Sequence, residues 1–99
     1  MNALAAELQI YFSVFARSQR DLSEHTICAY RDTWRMLIMF LAVRTGTRTE
    51  HIDFNHIDAD NVASFLTYLE HERGNTGSTR NARFCAIRAV LAHAMPGHR

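Results

Sequence analysis

Apolar positions recur at a helical period in four stretches separated by short polar links, and no segment alternates as a strand would. The longest stretch is Leu22 to Leu41, in which Ile27, Tyr30, Trp34, Leu37, Ile38 and Leu41 fall within an arc of about 100°, the width of a core-facing stripe. Ser23 is a good N-cap for it, its hydroxyl placed to accept from the amide of His25 or Thr26. Leu22 and Ile27 can close over that cap as a hydrophobic staple. The opposite side carries His25, Ala29, Asp32 and Met36, flanked by Arg31 and Arg35. That face is short-chained for one that meets only water.

The other stretches follow the same logic. Residues 2–16 predict a first helix with Leu4, Leu8, Tyr11, Phe12 and Phe15 on one face, while Ile10 and Val14 lie outside it. This is more apolar surface than one stripe needs, so part of it is either wrapped by the chain's own core or available to a second subunit or a further domain. Ser18 to Asp21 is a polar joint. After Leu41 the pattern breaks at Arg44 to Thr49, where Gly46 supplies a C-terminal stop. His51 to Ile57 reads as an irregular link anchored by Ile52, Phe54 and Ile57. Asp58 caps a third helix with Ile57 and Val62 as the staple and Val62, Phe65, Leu66 and Leu69 as the stripe. Gly74 ends it, and Glu70 and Glu72 are expected to face water. Gly74, Asn75, Thr76 and Gly77 make a turn, after which Ser78 caps a fourth helix. Its core face is read as Phe84, Ile87, Val90, Leu91 and Ala94, with Asn81, Ala82, Ala86, Arg88 and Ala89 outside. Pro96 and Gly97 terminate it. The pattern predicts an all-α, compact four- or five-helix bundle.

Composition narrows this further. A chain of 99 residues with 47% apolar positions and only five Gly plus Pro is a single globular domain that needs no staples. Cys28 and Cys85 sit apart inside helices and read as reduced cytosolic thiols packed as small apolar residues. Met36 to Val43 is too short to span a bilayer and the N-terminus lacks an export signal, so a cytoplasmic location and no membrane partner are expected. Net charge is +1, but its distribution is uneven. Residues 50–72 hold six acids and no arginine, while residues 73–99 hold Arg73, Arg80, Arg83, Arg88 and Arg99 and no acid. All eleven basic residues are arginine. Arginine's planar fork suits phosphates and guanine edges, although a skewed codon composition produces the same bias.

No active site emerges. His25 and Cys28 are one turn apart, yet no third group orients them as a nucleophile or completes a metal set. His51 and His56 lack the spacing of a helical metal pair, and His71 sits at a solvated helix end. Tyr11, Tyr30 and Tyr68 lie on or beside packing stripes. There is no glycine-rich phosphate loop and no nucleophile elbow, so no catalytic residue, metal or cofactor is expected. What remains is the pair of helix starts, Ser23 to Thr26 and Ser78 to Arg83. Taken singly each is ordinary capping, but free amides, the helix dipole and nearby hydroxyl and guanidinium groups also make a phosphate site. Two such ends held side by side could straddle a groove of duplex DNA.

The helix start S-x-x-T-x-x-x-Y at Ser23, Thr26 and Tyr30, the segment IDFNHIDADNVASFLTYLEHERG, and the run G-x(3)-ST-x-N-x-R…AIR from Gly74 to Arg88 resemble, in that order, the N-terminal core-binding (SAM-like) domain of tyrosine recombinases and phage integrases. The resemblance covers nearly the whole chain. It implies a DNA-binding module that forms half of a clamp on double-stranded DNA, with the second and fourth helices facing the major groove. Carried over, His25, Thr26 and Arg35 would face DNA from one helix, and Ser78, Thr79, Arg80, Asn81 and Arg83 from the other. Arg31 and Arg88 join them on charge and wheel position. Asp32 would stand among them and repel phosphate unless it accepts from a cytosine amino group. The family's catalytic groups lie in a C-terminal domain, expected to be absent here, so the chain by itself is expected to cleave no strand. A catalytic domain of the parent protein and self-association on DNA through the first helix are the implied protein partners. Two other readings stay open: a helix-turn-helix regulator, against which the Gly74 to Ser78 turn is long, and a helical protein-interaction module using the first helix.

Overall fold

In the computed structural model, which describes residues 2–15, 18, 22–74 and 76–94, helices joined by short links pack around one hydrophobic cluster, and no strand forms among those residues. Helix α1 spans Ala3–Ile10 and continues as a π-helical turn, Tyr11–Phe15. Tyr11 and Phe12 of this turn are both buried. Phe15 packs against the same cluster, whereas Ile10 and Val14 stay exposed, as the spacing predicts. Ala16 and most of the polar joint after it lie outside the described residues, as do Asn75, Pro96 and Gly97.

Helix α2, Glu24–Thr45, is the axis of the fold. The Ser23 hydroxyl accepts from the amide of Thr26 at 3.1 Å, the second of the two partners that capping allows. At the other end Gly46 takes the left-handed conformation at φ 66°, and its amide and that of Thr47 both donate to the Ala42 carbonyl. The helix therefore runs one turn past Leu41, because the stop is set by Gly46 and not by the threonines around it. Ile27, Trp34, Leu37 and Leu41 are buried, while Tyr30 and Ile38 pack from the edge.

The link before the third helix is better built than its sequence suggests. It makes two 3₁₀ turns, Thr49–His51 and Phe54–His56, around the buried Ile52. Asn2 donates to the carbonyls of Glu50 and Ile52 at 3.2 and 2.8 Å, and the Leu4 amide donates to Asp53 at 3.0 Å, so the start of α1 is sewn to this link. His56 Nδ1 accepts from the Asp53 amide at 3.0 Å and is thereby a structural cap. Asp58 then caps α3, Ala59–His71, accepting from Asn61 at 2.8 Å. Phe65, Leu66 and Leu69 are buried, and Phe40 of α2 stacks at 5.6 and 5.2 Å on Phe65 and Tyr68.

Helix α4, Gly77–Ala94, departs from expectation in three ways. Its cap is Thr76, not Ser78: the Thr76 hydroxyl accepts from the Thr79 amide at 3.1 Å, and its carbonyl accepts from Arg80 at 2.9 Å. Phe84, expected in the core, is 39% exposed, whereas Ala86, expected outside, is fully buried. The reason for both is Trp34, whose indole nitrogen donates to the Ala86 carbonyl at 3.0 Å. So large a ring reaches the α4 backbone only over a residue as small as alanine, and that rotates Phe84 outward. Cys28 and Cys85 are also exposed, contrary to their expected packing.

One titration follows from the core. Burial, and then the charge of neighbouring Tyr30, pushes the Tyr11 phenol above its ordinary value of 10.0. The unfolded chain then loses this proton before the folded one, so stability is unaffected below about pH 10 and falls as pH rises above it. Thermal unfolding followed through that range is expected to show an alkaline decline that Tyr11→Phe reduces; an identical decline in the variant would contradict it.

Candidate nucleic-acid interface

The two helix starts singled out in the sequence belong to the two helices that pack most extensively on each other, α2 and α4. At the start of α2 the Ser23 hydroxyl donates to the Thr26 hydroxyl at 3.1 Å while accepting from its amide. His25 is exposed and Thr26 half-buried. At the start of α4 the Thr76 and Thr79 hydroxyls make the matching pair at 3.1 Å. Ser78, freed from capping, is exposed together with Asn81, while Thr79 is half-buried.

The arginines divide into those engaged within the fold and those turned to solvent. Arg80 Nε lies 3.1 Å from Glu70 Oε1 of α3, so Glu70 is paired and does not simply face water. Arg83 reaches into the α2–α4 seam, its Nη1 donating to Thr33 Oγ1 at 2.9 Å and to the Ala29 carbonyl at 3.3 Å. Arg31 lies 5.9 Å over the Phe12 ring and Arg88 5.8 Å over Phe84, each within cation–π range. Arg35 is exposed and 3.4 Å from Asp32. Exposed pairs of this kind are screened and weak, so Asp32 tempers the positive potential along α2 without removing Arg35 from reach.

Exposed residues on α2 include His25, Cys28, Asp32 and Arg35, and on α4 Ser78, Asn81, Cys85 and Arg88. Hydroxyl, imidazole, amide and guanidinium groups in these positions are hydrogen-bond donors for phosphate oxygens and base edges. Among the described residues no cluster of His, Cys, Asp or Glu could hold a metal ion, and no helix is long and apolar enough to cross a membrane.

The sequence pattern of the phage integrase SAM-like domain matches residues 8–97. The chain belongs to that family. Two curated relatives from Sinorhizobium fredii carry integrase/recombinase names: the SAM-like domain is 40% identical to y4rD over 90 residues and 36% identical to y4rC over 92. The matches cover 91% and 93% of this chain but 32% and 28% of the relatives, so the domain spans about a third of the proteins it resembles. No solved structure matches.

Two features of the SAM-like domain escape sequence reasoning. The first is Thr33, buried in the α2–α4 seam as the partner of Arg83; a threonine beside the apolar stripe gives no sign of that role. The second is apolar surface on α2, where Met39 and Val43 are exposed in addition to the expected Ile10 and Val14 of the N-terminal helix. Met39 and Val43 line, with Met36, Phe40, Tyr68, Arg44 and Arg73, a groove of about 660 Å³. Farther along, His93 of α4 pairs with Glu7 of α1 at 2.5 Å and stacks on Phe15 at 4.3 Å, tying the end of α4 to the first helix.

Proposed function

We propose that this SAM-like domain is the DNA-binding N-terminal module of a site-specific tyrosine recombinase or integrase, and that it helps clamp duplex DNA with α2 and α4 toward the major groove. The observation that supports this best is that the two helices carrying the family's motif residues are packed together and leave His25, Arg35, Ser78, Asn81 and Arg88 exposed. Thr26, Arg31, Thr79 and Arg80, on the same two helices, are half-buried. Cleavage belongs on this reading to a separate catalytic domain acting in the cytoplasm. Tyr11 is buried and unsuited to attack a phosphodiester. Ile10 and Val14 remain available for self-association on DNA.

The test is a titration of labelled duplex at several salt concentrations. The isolated domain is expected to bind in the non-specific range of roughly 10⁻⁴ to 10⁻⁶ M, with log affinity falling linearly against log salt because bound phosphates release counterions. Arg35→Ala combined with Arg88→Ala is expected to flatten that slope by about two units if each neutralises one phosphate. Binding that is absent, or insensitive to salt, would overturn the reading.

A further inference from the structure

Among the described residues Thr33 is the buried polar residue of the core, 1% exposed. Its hydroxyl donates to the Ala29 carbonyl at 2.9 Å, the back-bond open to a threonine inside a helix. The same oxygen accepts from Arg83 Nη1 at 2.9 Å, and Nη1 also reaches the Ala29 carbonyl at 3.3 Å. Three groups from two helices therefore close a triangle. Arg83 Nε is shielded from solvent and has no hydrogen-bond partner.

An arginine that reads phosphate or guanine needs its fork turned outward. Arg83 instead has Nη1 engaged across the seam and Nε enclosed. Three residues further along α4, the carbonyl of Ala86 receives the Trp34 indole, and Trp34 follows Thr33 directly in α2. Two polar cross-links one helical turn apart fix both the spacing of α2 and α4 and the rotation of each about its axis. Both links are directional, whereas an apolar contact sets distance but not direction.

We propose that Arg83 is a positioning residue and not a DNA contact: through Thr33 and Ala29 it holds α2 and α4 at the separation at which their exposed groups meet successive phosphates. The proposal rests on the DNA-binding reading above. It separates Arg83 from the motif residues around it, since the same segment then holds both contacts and the strut that spaces them.

The test is a cycle of Thr33→Val, Arg83→Ala and the double variant, with Arg83→Lys as a fourth protein. Each is first verified as helical by circular dichroism and then titrated with duplex across salt concentrations. Thr33 is buried and cannot touch DNA, so Thr33→Val is expected to weaken binding several-fold with the salt slope unchanged. Arg83→Lys, which keeps the charge but not the reach of Nη1 to Thr33 and Ala29, is expected to bind as poorly as Arg83→Ala, and the double variant no worse than the poorer single one. Urea unfolding of the same proteins is expected to show Thr33 and Arg83 coupled. A silent Thr33→Val with full rescue by Arg83→Lys would overturn the positioning role in favour of a phosphate contact. Additive unfolding energies would overturn the strut itself. A wild-type domain that binds no duplex would instead overturn the reading on which the role rests.

Discussion

Trp34→Ala is expected to destabilise the domain by about 3–5 kcal/mol, the range for removing a large buried aromatic. Trp34 is 2% exposed, sits at the centre of α2 and spans the gap to α4, where its indole nitrogen donates to the Ala86 carbonyl at 3.0 Å. Alanine would lose the buried area and the hydrogen bond and would leave a void between the two helices. Total stability for a domain of this kind is about 5–15 kcal/mol, so the variant is expected to be marginal or unfolded at room temperature. Trp34→Phe keeps a ring but neither the N–H nor the full volume, and it is expected to fall between wild type and alanine. Urea unfolding followed by far-UV circular dichroism measures both. A loss below about 1 kcal/mol for the alanine variant, the scale of an ordinary substitution, would show that the seam does not depend on this ring.

Ala86→Leu is expected to act from the other side of the same contact. Ala86 is fully buried, and its backbone lies against the Trp34 ring. A leucine there has no room unless α2 and α4 separate, and overpacking of this kind costs about 1–3 kcal/mol. For a domain of this length that is a drop in Tm on the order of 10 °C. Separation would also lengthen the Arg83 to Thr33 bond, so the variant is expected to lose DNA affinity more steeply than its stability alone accounts for. Ala82→Leu is the control: Ala82 lies on α4 four residues earlier and is exposed. It is expected to leave Tm nearly unchanged. Equal effects at the two positions would mean that the close approach at Ala86 is not what limits side-chain size.

Part of the candidate interface is legible from residues alone. The Ser23 cap, the Asp58 cap and the Gly46 stop each act over one helical turn, and they appear where the sequence places them. The same locality misleads at α4. Ser78 and Thr76 are both capping residues two positions apart, and choosing between them depends on how the Gly74 turn, at φ 64°, delivers the chain. Phe84 misleads for another reason. Hydrophobicity favours its burial, but a helix has one rotation about its axis, and Trp34 sets that rotation from a distant part of the chain.

The arginines show the same divide. The sequence concentrates them after residue 73 with no acid among them, which marks α4 as the basic element. It does not show that Arg80 meets Glu70 or that Arg83 meets Thr33, because these contacts join residues of different helices. By itself, then, the sequence determined the helices, the Ser23 and Asp58 caps, the Gly46 stop, the core stripes of α2 and α3, and the family, since all of these follow from local spacing and residue type. Only the tertiary structure decided the rotation of α4, the exposure of both cysteines, and which arginines face solvent. Those depend on side chains meeting across helices, where a single large ring over a single small residue sets the geometry for the rest.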